Sequence, residues 1–202
     1  MTQPAALLHR MAHGYWLALV VSLLMLAGCG STPATHQYTL PEHAVARTLL
    51  PAAAPGVSVM PVQLSGHLLV NGIVVQTSPL EVNEARNNLW AEALSNQIDR
   101  SLAQALSATL QHARLLPGDS ADAPALYAVV SLDQFQGRYD GKAIVSGQYR
   151  LMNAERRLVS QRNVAYAVPL AKNGYPALIE ALDAGLQQLA GTLARDIDQH
   201  AR

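Results

Sequence analysis

Three consecutive stretches between Leu126 and Val168 carry a two-residue apolar period, and residues that favour tight turns separate them. In the first, Tyr127, Val129 and Phe135 share one face by strict alternation, while Leu126, Ala128, Val130 and Leu132 make the other face apolar as well, as a central strand requires. In the second, Ala143, Val145, Gly147, Tyr149 and Leu151 point one way and Ser146, Gln148 and Arg150 the other. The third groups Val164, Tyr166 and Val168. Asp140-Gly141 and Asn153-Ala154-Glu155 sit between them as hairpin turns, so the pattern predicts an antiparallel meander.

Two helical patterns flank the meander. From Glu84 to about His112 there is no Pro or Gly, and Trp90, Leu94, Ile98, Leu102, Leu106 and Leu110 recur at four-residue steps. That step drifts by roughly 40° per repeat against the helical period, so the stripe should wind around the helix with Ala105 and Ala108 at its edges. A second helix follows Asn173-Gly174, with Leu178, Leu182, Leu186, Leu189, Leu193 and Ile197 on one face. Upstream, Val57, Val59 and Val62 read as a short strand beginning after Gly56. Leu68 to Val70 and Ile73 to Val75, around Asn71-Gly72, read either as two strands or as one strand with a turn. The expected fold is α+β: a mostly antiparallel sheet with two long amphipathic helices packed on one face, the other face left to solvent or a partner.

The N-terminus has a different character. Arg10 precedes an apolar run from Tyr15 to Leu26, too short for a membrane span of roughly 20 residues and the right length for a secretory signal. The run ends in Leu26-Ala27-Gly28-Cys29, which resembles the bacterial lipobox, and Cys29 is the sole cysteine. The expected organisation is therefore a signal peptide over 1–28, a lipidated Cys29 with a Pro/Ala/Thr-rich tether over 29–55, and a single domain over 56–202. More than one acyl chain on Cys29 would give stable anchoring without a spanning helix. Gly30 and Ser31 follow the cysteine where inner-membrane retention uses aspartate, so the lipobox resemblance implies the outer membrane, periplasmic side. Within the tether, Tyr38-Thr39-Leu40 is either a chance β-prone triplet or an edge strand docking on the domain.

The order of elements, Tyr38-Thr39-Leu40 after the tether, Trp90-Ala91-Glu92-Ala93-Leu94 at the opening of the first helix, and Tyr175 to Ile197 as the second, together resemble the paraquat-inducible protein C family of auxiliary transport lipoproteins. Ala93 stands where that family often has proline, a substitution that shifts a helix start and leaves the fold intact. The resemblance implies a non-catalytic subunit of an intermembrane lipid transport system, a ring of copies on the outer membrane, and a membrane-bridging partner of the mammalian-cell-entry type. Tyr38 and Trp90, or the solvent-facing side of the sheet, would then supply the partner contacts. An outer-membrane lipoprotein that assembles a secretion or lipopolysaccharide-export machine is the alternative, distinguished by its partner.

Other function classes fit poorly. The whole chain has 14 basic and 14 acidic residues, with no basic stripe of the kind that neutralises nucleic acid phosphates. His36, His43, His67, His112 and His200 are scattered without metal-ligand spacing, so neither a metal nor a cofactor is expected. Ser65-Gly66 and Ser146-Gly147 lack the frame of a nucleophile elbow. Asp133 beside Gln134 reads as a polar strand residue ahead of a general base, and no catalytic residue is expected.

Overall fold

A computed structural model describes residues 33–43, 50–51 and 53–201. The signal peptide expected over 1–28, Cys29 with its expected lipid, and residues 30–32, 44–49 and 52 of the expected tether lie outside the described residues. One compact unit runs from Thr35 to Arg202, so the sheet begins upstream of Gly56.

Strands β1 (His36–Tyr38), β2 (Gly56–Val59) and β3 (Gln63–Leu64) lead through a short 3-10 turn at Gly66–Leu68 into β4 (Gly72–Ser78) and β5 (Glu81–Trp90). Helix α1 (Leu94–Thr109) and β6 (Arg114–Leu115) precede the long strands β7 (Leu126–Arg138), β8 (Lys142–Asn153) and β9 (Leu158–Pro169), and helix α2 (Tyr175–His200) closes the fold. The meander β7-β8-β9 is antiparallel over nearly its full length, as the alternation and turn residues predict. The remaining pairings change the sheet's class. β2, β3 and β4 all run parallel to β7, β6 runs parallel to β2, and β1 runs parallel to β5. The sheet is therefore mixed, and the expectation of a mostly antiparallel one is corrected. Parallel neighbours need long crossover connections, here those carrying α1 and β5, and periodicity within a segment carries no signal for such distant pairing.

The first helix is also shorter than its pattern suggested. Residues 81–90 form β5, hydrogen-bonded to β4 on one side and β1 on the other, and the helix starts at Leu94. Absence of Pro and Gly over 84–93 permits a helix without requiring one, and Asn87-Asn88 favours it little. Trp90 thus ends a strand instead of opening a helix. The turn that joins two strands is Pro79-Leu80; Asn71-Gly72 leads from the 3-10 turn into β4, where Asn71 C=O accepts the Trp90 N–H at 2.7 Å.

A β-bulge alters the face assignments of β7. Leu132 faces Gly147 and Gln134 faces Ser146, leaving Asp133 as the extra residue. Beyond it the alternation inverts, so Phe135 joins Ala128, Val130 and Leu132 in the core and not Tyr127 and Val129 as strict alternation predicted. Phe135 is buried against Trp90, their ring centroids 6.4 Å apart, and Asp133 is exposed.

One core holds the layers together. From α2, Leu182, Leu186, Leu189, Leu193 and Ile197 are buried with Val145, Tyr149 and Leu151 of β8, and from α1, Leu94, Ile98, Leu102, Ala105 and Leu106 join the same cluster. Each of the buried leucine, isoleucine and valine side chains contributes roughly 1.5–3 kcal/mol. Ala108 lies outside the stripe and is exposed. Gly185 of α2 faces Val145, where a Cβ would come within 2.7 Å of the valine Cγ2, so glycine sets how closely α2 rides on β8.

Candidate interaction surface

The helices cover one face of the meander and leave the other open. Along that face the alternation places Ser131 and Gln134 of β7, Ser146, Gln148 and Arg150 of β8, and Gln161, Asn163 and Ala165 of β9 side by side, while Val129, Gln136 and Ile144 on the same face are buried, with His67 over Gln136. Their hydroxyls and amides are linked across strands. Ser146 Oγ donates to Gln134 Oε1 at 2.8 Å, Gln161 Nε2 donates to Gln148 Oε1 at 3.0 Å, and Ser131 Oγ donates to Gln63 Oε1 at 3.1 Å. At one end of the face the Arg156 guanidinium lies 3.5 Å from the centre of the Tyr127 ring, a cation-π contact. The result is a surface of hydroxyl and amide donors and acceptors with Arg150 and Arg156 toward one end, suited to hydrogen bonding with another protein.

The meander ends in β9, which among the described residues pairs only with β8 and so offers a twelve-residue edge. Leu158 and Val159 near its start are exposed. Open strand edges are templates for pairing with another chain.

At the opposite edge, β1 forms a second corner. The Tyr38 hydroxyl donates to Asn88 Oδ1 at 3.1 Å, and its ring lies 6.2 Å from that of Tyr175 at the start of α2. Tyr38 is half-buried, whereas Trp90, its register partner on β5, is 5% exposed and turned into the core. The two residues are therefore neighbours, with different surroundings.

Directly after β1 the chain crosses the helices. The Leu40 side chain is buried, its N–H donates to Gln97 Oε1 at 2.8 Å, and His43 Nε2 lies 2.7 Å from Asp183 Oδ2. Gln97 and Asp183 are buried polar residues on α1 and α2 that this strap covers. Two more buried carboxylates of α2 are pinned by the surrounding backbone and side chains. Asp198 accepts the N–H groups of Gln111 at 3.0 Å and His112 at 2.8 Å, closing the end of α1. Asp196 Oδ2 accepts from Ser160 Oγ at 2.7 Å and from the Tyr149 hydroxyl at 3.1 Å. Burial, reinforced by the Asp196 charge, pushes the Tyr149 phenol well above its ordinary range, so it stays a donor.

An open groove of about 1070 Å³ separates α1 from the β2 and β6 strands, with Val59, Met60 and Leu115 on one wall and Asp99, Gln104 and Ser107 on the other. Asp99 accepts the Val62 N–H at 2.8 Å, and desolvation there raises its carboxyl above the usual range despite that hydrogen bond. Among the described residues no group of three His, Cys, Asp or Glu side chains could hold a metal ion, and no helix is long and apolar enough to cross a membrane. The five histidines expected to be scattered fall in separate settings, His43 on Asp183, His67 near Gln136 at 3.3 Å, His112 and His200 near the end of α2, and His36 beside Tyr38.

Residues 38–194, nearly all of this unit, match the family model of the ABC-type transport auxiliary lipoprotein component. The chain belongs to that family. Over 191 residues it is 32% identical to the intermembrane transport lipoprotein PqiC of Escherichia coli strain K12, covering 90% of this chain and 96% of that protein. The PqiC of Shigella flexneri matches to the same extent. The resemblance read from Tyr38-Thr39-Leu40, the Trp90 segment and the closing helix therefore holds. Among solved structures, that of an uncharacterized protein superposes with a TM-score of 0.70 at 28% identity, covering 81% of this chain and 99% of its own. A Xanthomonas campestris protein superposes with a TM-score of 0.68 at 16% identity, covering 82% of this chain and 96% of its own, which shows a shared fold. The relatives of this auxiliary lipoprotein are named for transport, not for catalysis.

Proposed function

We propose that this auxiliary lipoprotein serves lipid transport between two membranes as a non-catalytic subunit. In this reading it is held on the periplasmic face of the outer membrane through Cys29, and copies assembled in a ring dock a membrane-bridging protein of the mammalian-cell-entry type. The observation that carries the reading is the 32% identity, along 90% of the chain, to a protein named for intermembrane transport. The hydrogen-bonding face of the meander supports it, because a docking subunit needs a broad protein-binding surface and no reaction centre. The edge of β9 supports assembly of copies. At the β1 corner, half-buried Tyr38 offers the accessible contact and Trp90 holds the strand beneath it against Phe135.

An affinity pull-down of the full-length protein from crosslinked envelopes tests this. Recovery of the bridging protein is expected, with loss for Cys29→Ala and for a Gln148→Glu/Ser146→Glu double variant that puts charge on the open face. Recovery of secretion or export subunits in its place would overturn the assignment, and full recovery with the double variant would move the docking surface elsewhere.

A further inference from the structure

The β4-β5 hairpin reaches beyond the end of the sheet. β4 pairs with β7 as far as Gln76 and Arg138, and the hairpin continues through Ser78 to a turn at Pro79-Leu80. At that turn Leu80 is 99% exposed, and Val82 beside it is exposed too. The β7-β8 turn lies at the same end of the sheet, since Arg138 is level with Gln76, and it carries the exposed Tyr139. The loop after β9 also arrives there, Pro169 pairing with Lys142, and brings Lys172. An isolated exposed leucine is ordinary. Here a leucine, a valine, a tyrosine and Lys172 gather at one projecting end, the side-chain set that sits at the boundary between headgroups and acyl chains.

The direction of β1 sets the end of the sheet from which the chain arrives. β1 is parallel to β5, with His36 level with Asn88, so the chain enters β1 from the side of Glu81 and the hairpin turn. Cys29 lies seven positions before His36, and Glu81 lies seven positions before Asn88. Seven extended residues span at most about 25 Å, and the same number of strand steps along β5 covers roughly 23 Å. A membrane that holds Cys29 is thus within reach of the hairpin tip, and the short connection keeps the rest of the unit from standing far off.

We infer that the Pro79-Leu80 hairpin tip, with Tyr139 beside it, is a second membrane contact that seats in the same lipid surface as the anchor. The inference rests on Cys29 being the lipid-bearing residue. The contact is apolar in character, because Arg138 and Lys142 at this end are already turned toward Asp140, at 2.6 and 3.5 Å, and Glu81 adjoins Leu80. It orients the protein, directing the hairpin end of the sheet at the bilayer and the β8-β9 turn, with Leu158, away from it.

The test uses the full chain purified from membranes and reconstituted into phosphatidylethanolamine/phosphatidylglycerol vesicles. Single cysteines at Leu80→Cys, Tyr139→Cys and Leu158→Cys are labelled with an environment-sensitive maleimide fluorophore, which an acylated Cys29 cannot take up. Brominated lipids are expected to remove most of the emission from positions 80 and 139, with a blue shift, and to leave 158 unchanged. Flotation with the vesicles combined with equal, unquenched emission at all three positions would overturn the inference while leaving the lipoprotein reading intact. A blue shift at 80 that brominated lipid does not quench would overturn it in favour of coverage by protein. Labelling of the parent chain at Cys29 itself, without flotation, would remove the lipoprotein reading and the inference with it.

Discussion

Replacing Gly147 by alanine probes the bulge that organises the central strand. Gly147 faces Leu132 at the point where β7 gains its extra residue, and a Cβ there would sit 2.1 Å from the Ser131 carbonyl oxygen and 2.8 Å from the Leu132 Cα. Both neighbours are backbone atoms of the adjoining strand, so no rotamer change relieves the overlap. β7 and β8 would have to separate by about 1 Å at the middle of the sheet, against a core that includes Tyr149 and Phe135. Overpacking of this kind costs about 1–3 kcal/mol, and the backbone identity of the clash points to the upper end, about 3 kcal/mol. With a urea m-value of about 2 kcal/mol/M, the unfolding midpoint should fall by about 1.5 M at unchanged m. Gly66→Ala is the control, since a Cβ at Gly66 meets nothing within 4 Å. Equilibrium urea unfolding followed by far-UV circular dichroism decides the matter. If Gly147→Ala unfolds at the same urea concentration as Gly66→Ala, the close approach of the two strands, and the bulge that turns Phe135 inward, are misassigned.

Other consequences can be measured on the same protein. Asp198→Ala removes the acceptor for two part-buried N–H groups, those of Gln111 and His112, and should cost about 1 kcal/mol by denaturant unfolding, with Asp198→Asn recovering part of the loss. Gln97→Ala should release the Leu40 amide, which donates to Gln97 Oε1, and hydrogen exchange at Leu40 should accelerate while exchange in the middle of β8 stays slow; equal protection would refute the strap. The guanidinium of Arg138 beside Asp140 holds that carboxyl down at about 2, with Lys142 adding to the effect. Its contribution to stability is present above the ordinary value of 3.8 and is lost as pH falls toward about 2. NMR titration of Asp140 should show this depressed value, and Arg138→Met should raise it toward 3.8; an unchanged titration would show that the pair does not form in solution.

The elements whose apolar spacing is strongest were legible in advance. The meander follows from alternation plus Asp140-Gly141 and the turn after Asn153, and α2 follows from a stripe, Leu178 to Ile197, that stays on one face of a 26-residue helix. The stretch from Glu84 to Trp90 was not legible, because its helix-compatible composition yields to the hydrogen bonds that β4 and β1 supply from both sides. The bulge at Asp133 was equally hidden: one extra residue leaves the composition unchanged and inverts every face assignment after it. Of the two residues expected at a partner contact, Tyr38 keeps accessible surface at an edge strand, and Trp90 became a core residue once its element proved to be a strand ending against Phe135. Gln97, Asp183, Asp196 and Asp198 escaped notice because a polar residue on a helix looks solvated until the group that meets it is known.

Local sequence by itself determined which segments alternate, where the meander turns, which faces of two helices are apolar and which family the chain resembles, since each depends on neighbours within a few residues. Only the tertiary structure decided that β2, β3 and β4 align parallel to β7, that β1 joins the sheet beside β5, and that the hairpin tip carrying Leu80 projects from the end where the chain enters. Those features are set by pairings between residues tens of positions apart, whose hydrogen bonds become available only when the core has brought the strands side by side.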